Sequence, residues 1–312
     1  MVTIYSRKDE GSVDRVLDWL HFADVPFKRI FPESFTESGE GAIPRSYGIQ
    51  GHSRAGERKD TYWLRNWSKL RFEPNPVLPG LEKNMEADLL AVFDLEAYQG
   101  QLGSIYRSVE KPRQLNYALQ HGLQIPETLI SNNREDLRKF IEQQGTVITK
   151  PLAHPYTFYD PEGIQKPKLS YTRTISLEEV EGLPKVFHFS LFQKLVEKQY
   201  EIRTFYLNGT CWSMAIFSQS SEQTKVDFRN YNLKNRNRSI PFQLPREMEN
   251  RIRSFMKACD LNWGSLDFAV DANNDFIFFE VNPQGQFGMV SNPCNYHLEK
   301  ELAEFIAANN LY

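Results

Sequence analysis

The residues best suited to chemistry lie near the C-terminus, in Gly264-Ser265-Leu266-Asp267-Phe268-Ala269-Val270 and Phe276-Ile277-Phe278-Phe279-Glu280-Val281-Asn282-Pro283. The intervening Ala272-Asn273-Asn274-Asp275 is turn chemistry between two apolar β runs, which predicts a hairpin. Side chains on a strand alternate faces, so Glu280 and Asn282 point the same way, and Asp267 on the first strand lies across from them. Two carboxylates and an amide oxygen at one edge are hard ligands, suited to Mg²⁺ carrying substrate phosphates and unsuited to zinc. The plainer alternative is an exposed hairpin with polar ends. Against it, Glu280 closes the apolar run Phe276 to Phe279, where a charge is costly unless paired or metal-bound.

The elements that position these groups are legible from periodicity. Val2 to Tyr5 reads as a strand, Val13, Val16, Leu17 and Leu20 as one face of a helix, and Val25 to Phe31 as the next strand, together a βαβ unit. No GxGxxG follows the first strand, which removes the physical basis of a dinucleotide fold. Residues 33–60 read as a long polar loop, Tyr62-Trp63-Leu64-Arg65 as a short aromatic strand with one exposed cation, and 81–102 as a long helix. Further helices are expected over 112–121, 134–144, 245–258 and 296–308. Strands are expected over 125–130, 146–150, 189–196, 201–207 and 211–218. Residues 156–174 read as a β-hairpin whose cationic tip holds Lys166 and Lys168.

Composition bounds the function. The 312 residues carry 37 Lys and Arg against 40 Asp and Glu, a net charge of −3, which removes bulk electrostatic attraction to nucleic acid or an anionic membrane. Cys211, Cys259 and Cys294 show no CxxC or Cys/His pattern, so they read as free thiols, and with no apolar targeting segment the expectation is a cytoplasmic protein. Neither a GxSxG elbow nor an HExxH helix is present to support a hydrolase.

Lys150 at a strand end, Gln193-Lys194-Leu195-Val196 on a later strand, Glu201-Ile202-Arg203 after it, Asp267, and then Glu280-Val281-Asn282-Pro283 form an order that resembles the ATP-grasp ligase superfamily over roughly residues 105–310. Within it, Tyr200 to Tyr206, Phe217-Ser218-Gln219, Val226 to Asn232 and Gly285-Gln286-Phe287 with Cys294-Asn295-Tyr296 look like the graspetide synthetases, relatives of the microviridin ligases. The resemblance implies an α/β (α+β) architecture: an N-terminal α/β domain over 1–106, a central ATP-grasp subdomain over 107–185 and a C-terminal one over 186–312. It implies ATP and two Mg²⁺ ions as cofactors, a ribosomal precursor peptide as partner, and a homodimer. The activity implied is phosphorylation of Asp or Glu side chains, which are then joined to Ser or Thr as esters or to Lys as amides.

Residue by residue, the resemblance implies that Lys150 and Lys111 bind nucleotide phosphates, each with a solvated lysine as the plain alternative. Gln193, Lys194, Leu195 and Val196 would form the hinge whose backbone reads adenine, and Glu201 would accept the ribose hydroxyls. Arg203 would hold the transferred phosphoryl group, the alternative being a cross-strand pair with Glu201 or another acid. Asp267, Glu280 and Asn282 would hold the metal ions. Asp227, Arg229 and Arg238, on the polar stretch 226–238, would orient the acidic side chain of the peptide, against the alternative of a solvated basic loop. The segment after Lys150 has Gly163 as its only glycine, unlike the Gly-rich phosphate lid of many ATP-grasp enzymes. By the same resemblance the 156–174 hairpin would engage the leader of the precursor. Competing functions are a RimK-like ligase that adds an amino acid to a terminus, a peptide kinase, and a module that binds ATP and peptide without catalysis.

Overall fold

The computed structural model describes residues 2–31, 61–65, 110–152, 157–158, 168–169, 172–219 and 237–310. The 33–60 loop, the 81–102 helix, Asp227, Arg229 and the tip of the 156–174 hairpin lie outside them. The chain divides into two compact units. One comprises Met1–Ser108, Asp260–Gly264 and Pro283–Tyr312, the other Val109–Cys259 and Ser265–Asn282.

The first unit contains the expected βαβ motif: β1 (Val2–Ser6), α1 (Gly11–Phe22) and β2 (Phe27–Ile30), with β3 (Thr61–Arg65) completing a parallel sheet of order β2-β1-β3. Val13, Val16 and Leu20, spaced to fall on one face of α1, are all buried. Arg65 corrects the sequence expectation of an exposed cation, since it is only 1% exposed. Its Nη1 donates to the carbonyls of Gln284 and Gly285 (3.2 Å to the latter), and its guanidinium lies over the rings of Trp263 and Phe287 at 5.8 and 5.4 Å. Backbone carbonyls and aromatic faces replace water around the charge, a pairing that the sequence alone does not announce. Burial lowers the Arg65 pKa, and the Glu10 carboxylate 4.0 Å away opposes that shift.

The second unit holds two sheets. In the first, α2 (Lys111–Gln120) leads through Gly122, at φ +75, to β4 (Thr128–Asn133), α3 (Arg134–Gln144) and β5 (Val147–Lys150). Pro112 stands in the first turn of α2, where its missing N–H costs nothing. Asn133 caps α3 by accepting from the amides of Glu135 and Asp136. Then β6 (Thr157–Phe158) pairs with β7 (Lys168–Leu169), a shorter hairpin than expected: Lys168 stands on a strand opposite Phe158 and not at the tip, and Arg173 and Thr174 pair with β5 instead. β8 (Arg173–Ile175), α4 (Leu177–Glu181) and β9 (Val186–Lys194) follow, and the sheet order is β4-β9-β5-β8. Leu137, Ile141, Val147, Ile175, Val180 and Phe192 make its core.

The second sheet, of order β12-β11-β10-β13-β14, comprises β10 (Lys198–Leu207), β11 (Thr210–Phe217), β12 (Arg238–Phe242), β13 (Trp263–Asp271) and β14 (Phe276–Asn282), with α5 (Arg246–Ala258) before β13. Strand β12 is unforeseen: the C-terminal end of the polar 226–238 stretch enters an edge strand, where Pro241 is tolerated because no outer ladder needs its N–H. Helices α6 (Gly288–Cys294) and α7 (Leu298–Asn310) close the first unit, and α6 is likewise unforeseen. No helix among the described residues is long and apolar enough to cross a membrane. All three cysteines are free thiols, and burial pushes Cys211 and Cys259 up to about 12 and Cys294 up to about 11.

Arg65→Ala is expected to cost about 3 kcal/mol, because it leaves buried carbonyls without a donor and opens a cavity between aromatic rings. Thermal denaturation checks this, and an unchanged melting curve would mean that the guanidinium is not part of the core.

Candidate active site

The hairpin of β13 and β14 builds the acidic edge as anticipated. Its turn is fixed by Asp271, whose Oδ1 accepts from the amides of Asn273 and Asp275 at 2.9 Å each, with Asn274 in the left-handed region at φ +65. Asp267 stands directly opposite Glu280, and Ser265 opposite Asn282. Directly opposed residues share a face with Cβ atoms about 5 Å apart, so the two carboxylates are neighbours. The register then slips: Phe268 pairs with Phe278, which leaves Phe279 as an extra residue on β14. Simple alternation would send Phe279 to the face opposite Glu280, yet the bulge lets both line one cleft.

That cleft opens to solvent, and with the open space at its mouth included it spans about 680 Å³. Ile148 and Lys150 of β5 form one wall, and the β9–β10 connection Lys194-Leu195-Val196 forms the back. Lys198, Glu201 and Ile202 of β10 and Asp267, Phe268, Phe279 and Glu280 of the hairpin complete it. It therefore gathers the sequence-predicted residues Lys150, Lys194, Leu195, Val196, Glu201, Asp267 and Glu280, all within the second unit. Gln193 is fully buried beside it, and its Nε2 donates to Thr128 Oγ1 at 2.9 Å, tying the connection to β4. The amide of Lys194 donates to Glu127 O at 3.0 Å and that of Leu195 to Thr146 O at 2.9 Å. Sheet pairing thus holds two successive hinge amides and leaves the Val196 N–H outside it.

Each carboxylate is met by a cation. Arg203 Nη1 donates to both oxygens of Asp267, at 3.0 and 3.1 Å, with the two side chains 6% and 12% exposed. Lys111 Nζ, at the first residue of α2, lies 3.5 Å from Glu280 Oε2. Glu201 and Lys198, both nearly buried, form a third pair. The acid paired with Arg203 is Asp267 on the neighbouring strand, and not Glu201. Arg203 Nε and Ser265 Oγ are buried with no hydrogen-bond partner, so donor capacity beside the acids is unspent.

Lys198 and Phe279 were not singled out from the sequence. The Lys150 and Lys198 ammonium groups lie 5.8 and 5.9 Å from the centroid of the Phe279 ring, one ring serving two cations. The spacing of Lys198 three residues before Glu201 was the available signal. Arg238 falls elsewhere, exposed at the edge of β12 and over the Phe217 ring at 5.7 Å, and it is not among the residues lining the cleft. Among the described residues no three His, Cys, Asp or Glu side chains are close enough to hold a metal by themselves. Asp267, Glu280 and the Asn282 amide are nevertheless hard oxygen donors on one edge. That is the incomplete set expected for Mg²⁺, which takes one or two carboxylates and fills its octahedron with water and phosphate oxygens.

Comparison with solved structures finds the same architecture. An ATP-grasp ligase of Chryseobacterium gregarium associated with ribosomally made peptides, in complex with ADP and a leader and core peptide, superposes with a TM-score of 0.81 at 21% identity, covering 98% of this chain and 96% of that one. The macrocyclase MdnC of Microcystis aeruginosa MRC, bound with precursor peptide MdnA, gives 0.78 at 23% identity over 99% of both chains. The chain has the ATP-grasp ligase fold. A third ATP-grasp structure, the ligase PsnB with a phosphomimetic variant of its minimal precursor, Mg and ADP, gives 0.70 at 17% identity over 99% of this chain and 98% of that one. No family model and no curated protein matches the sequence.

Removing one member of the buried Arg203–Asp267 pair strands the other charge. Arg203→Met and Asp267→Asn are each expected to lower stability by about 3 kcal/mol, and the double variant by much less than their sum. Additive losses in a denaturant double-mutant cycle would show that the two groups are not coupled.

Proposed function

We propose that the protein is an ATP-dependent peptide ligase of the macrocyclase type. It would phosphorylate Asp or Glu side chains of a ribosomal precursor peptide and join them to Ser or Thr as esters or to Lys as amides. The observation that carries this reading is the single cleft in which a hinge connection, three lysines and the opposed pair Asp267 and Glu280 meet. The fold it shares with ligases solved alongside precursor peptides, ADP, AMPPNP and Mg supports it.

In this reading the adenine edge meets the connection Lys194 to Val196, where the Val196 N–H is the amide that sheet pairing leaves for a ligand. Gln193 acts at one remove, through its bond to Thr128. Glu201 takes the ribose hydroxyls, and Lys150 and Lys111 take phosphate oxygens. Asp267, Glu280 and Asn282 hold two Mg²⁺ ions, which when bound supply charge neutralisation for the transferring phosphoryl group. The γ-phosphoryl passes to a side-chain carboxylate, giving ADP and an acyl phosphate. A hydroxyl or amine then attacks the carbonyl carbon, loses its proton, and phosphate departs. Arg203, paired with Asp267, would shift part of its interaction to the developing phosphoryl charge. Asp227, Arg229 and Arg238 remain candidates for orienting the peptide. The three-part division at 106 and 185, the 156–174 hairpin as a leader-binding element, and a cytoplasmic homodimer belong to the same proposal.

Intact mass spectrometry of precursor peptides encoded beside the gene, incubated with the protein, ATP and Mg²⁺, is expected to show loss of one water mass per ring, matched by ADP release. Gain of one amino-acid residue would establish the terminal-ligase alternative, gain of a phosphate mass the kinase, and an unchanged peptide with bound nucleotide the binding module. Glu280→Gln and Asp267→Asn are expected to abolish ATP turnover in a protein that still folds, and wild-type activity in both would remove the metal assignment. Arg203→Ala is expected to lower turnover by about 100-fold or more while ATP affinity changes little.

A further inference from the structure

Helix α2 reaches β14 with side chains in place of backbone. Gln114, 5% exposed, aligns its carboxamide with the main chain of Val281: Oε1 accepts from the Val281 N–H at 2.9 Å, and Nε2 donates to the Val281 C=O at 3.0 Å. β14 is the last strand in its sheet order, so among the described residues the side of Val281 turned away from β13 has no strand beside it. A carboxamide carries a donor and an acceptor in the same arrangement as a peptide group, and here it does for one residue what a sixth strand would do. Further up the same edge, the Phe278 N–H is taken by Gln124 O at 2.7 Å.

The position of the contact is what matters. Val281 lies between Glu280 and Asn282, its N–H belongs to the peptide group that follows Glu280, and its C=O to the peptide group that precedes Asn282. Two hydrogen bonds from one buried side chain therefore fix both peptide planes from which these donors project. Lys111, one helical turn before Gln114 and so on the same face of α2, ion-pairs with Glu280 itself. One helix face thus controls both the charge and the backbone of the edge.

We propose that Gln114 is a positioning residue for the metal-binding edge, holding the backbone at Val281 so that Glu280 and Asn282 present their oxygens together. This rests on reading those two residues as Mg²⁺ ligands. Partners of this kind, which touch the ligand-bearing chain and not the metal, are typically worth about 10–100-fold in metal affinity.

The test is calorimetric titration of ADP into the full-length protein across a series of Mg²⁺ concentrations and in EDTA, together with hydrogen exchange at the Val281 amide. Gln114→Met keeps the length of the side chain and loses both hydrogen bonds. It is expected to raise the Mg²⁺ concentration needed for tight ADP binding by about 10–100-fold, to leave metal-free ADP affinity at the wild-type value, and to speed exchange at Val281. Gln114→Asn keeps the neutral carboxamide but draws it back by one methylene from Val281, so a shift in the same direction is expected. It decides the matter if Gln114→Met does not fold. Wild-type Mg²⁺ dependence in the folded variants, or an equal loss of ADP affinity with and without Mg²⁺, would overturn the proposal. Glu280→Gln in the same titration separates the two readings. Unchanged Mg²⁺ dependence there removes the metal assignment itself, whereas its loss there beside wild-type behaviour in the Gln114 variants removes only the positioning role.

Discussion

Two carboxylates placed side by side on paired strands repel each other, and partial burial makes that repulsion stronger. The arrangement of the second unit follows from having to hold Asp267 and Glu280 in that state. Arg203 neutralises one from the neighbouring strand β10, and Lys111 neutralises the other from the start of α2. Arg203 is nearly buried and Lys111 partly so, and each has a carboxylate as counter-charge. An ion pair of this kind adds little to stability compared with well-packed apolar groups. On the proposed reading, phosphate oxygens would take over from the carboxylates as partners of Arg203 and Lys111, and carboxylate oxygens would be freed for a divalent cation.

The cleft divides its work between rigid and exchangeable parts. The hinge is rigid, because sheet hydrogen bonds hold the amides of Lys194 and Leu195 and the buried Gln193 side chain is tied to Thr128. The cations are exchangeable, since each is paired with an acid or lies against the ring of Phe279. Such a site is firm in shape at one end and charged at the other, the division that the proposed nucleotide would need.

Much of this was legible in the sequence, because the strongest signals are local. The hairpin turn at 272–275, the helix over 134–144 and the apolar faces of α1 and β13 arise from periodicity and turn chemistry, which neighbouring residues determine. The order Lys150, Lys194 to Val196, Glu201, Asp267 and Glu280 is enough to collect much of the cleft. What escaped depends on contacts between residues distant along the chain. Arg65 reads as an exposed cation until the carbonyls of Gln284 and Gly285 are seen around it. Arg203 has acids at several plausible distances, and only the strand order β11-β10-β13 selects Asp267. Gln114 carries no sequence signal at all, since a buried glutamine in an amphipathic helix looks like any other polar residue.

The bulge at Phe279 separates β14 into two halves that alternate independently. Phe278 keeps its place in the core opposite Phe268, and Glu280 keeps its place opposite Asp267, whatever stands between them. The aromatic ring in the cleft is therefore carried by a residue that neither half of the strand needs for its own phase. Loss of that one residue from the chain would remove the ring and leave both the acidic edge and the core in register. A one-residue deletion at this point would in that way shed a wall of the cleft, a step that in an ordinary strand would turn half of its side chains to the wrong face.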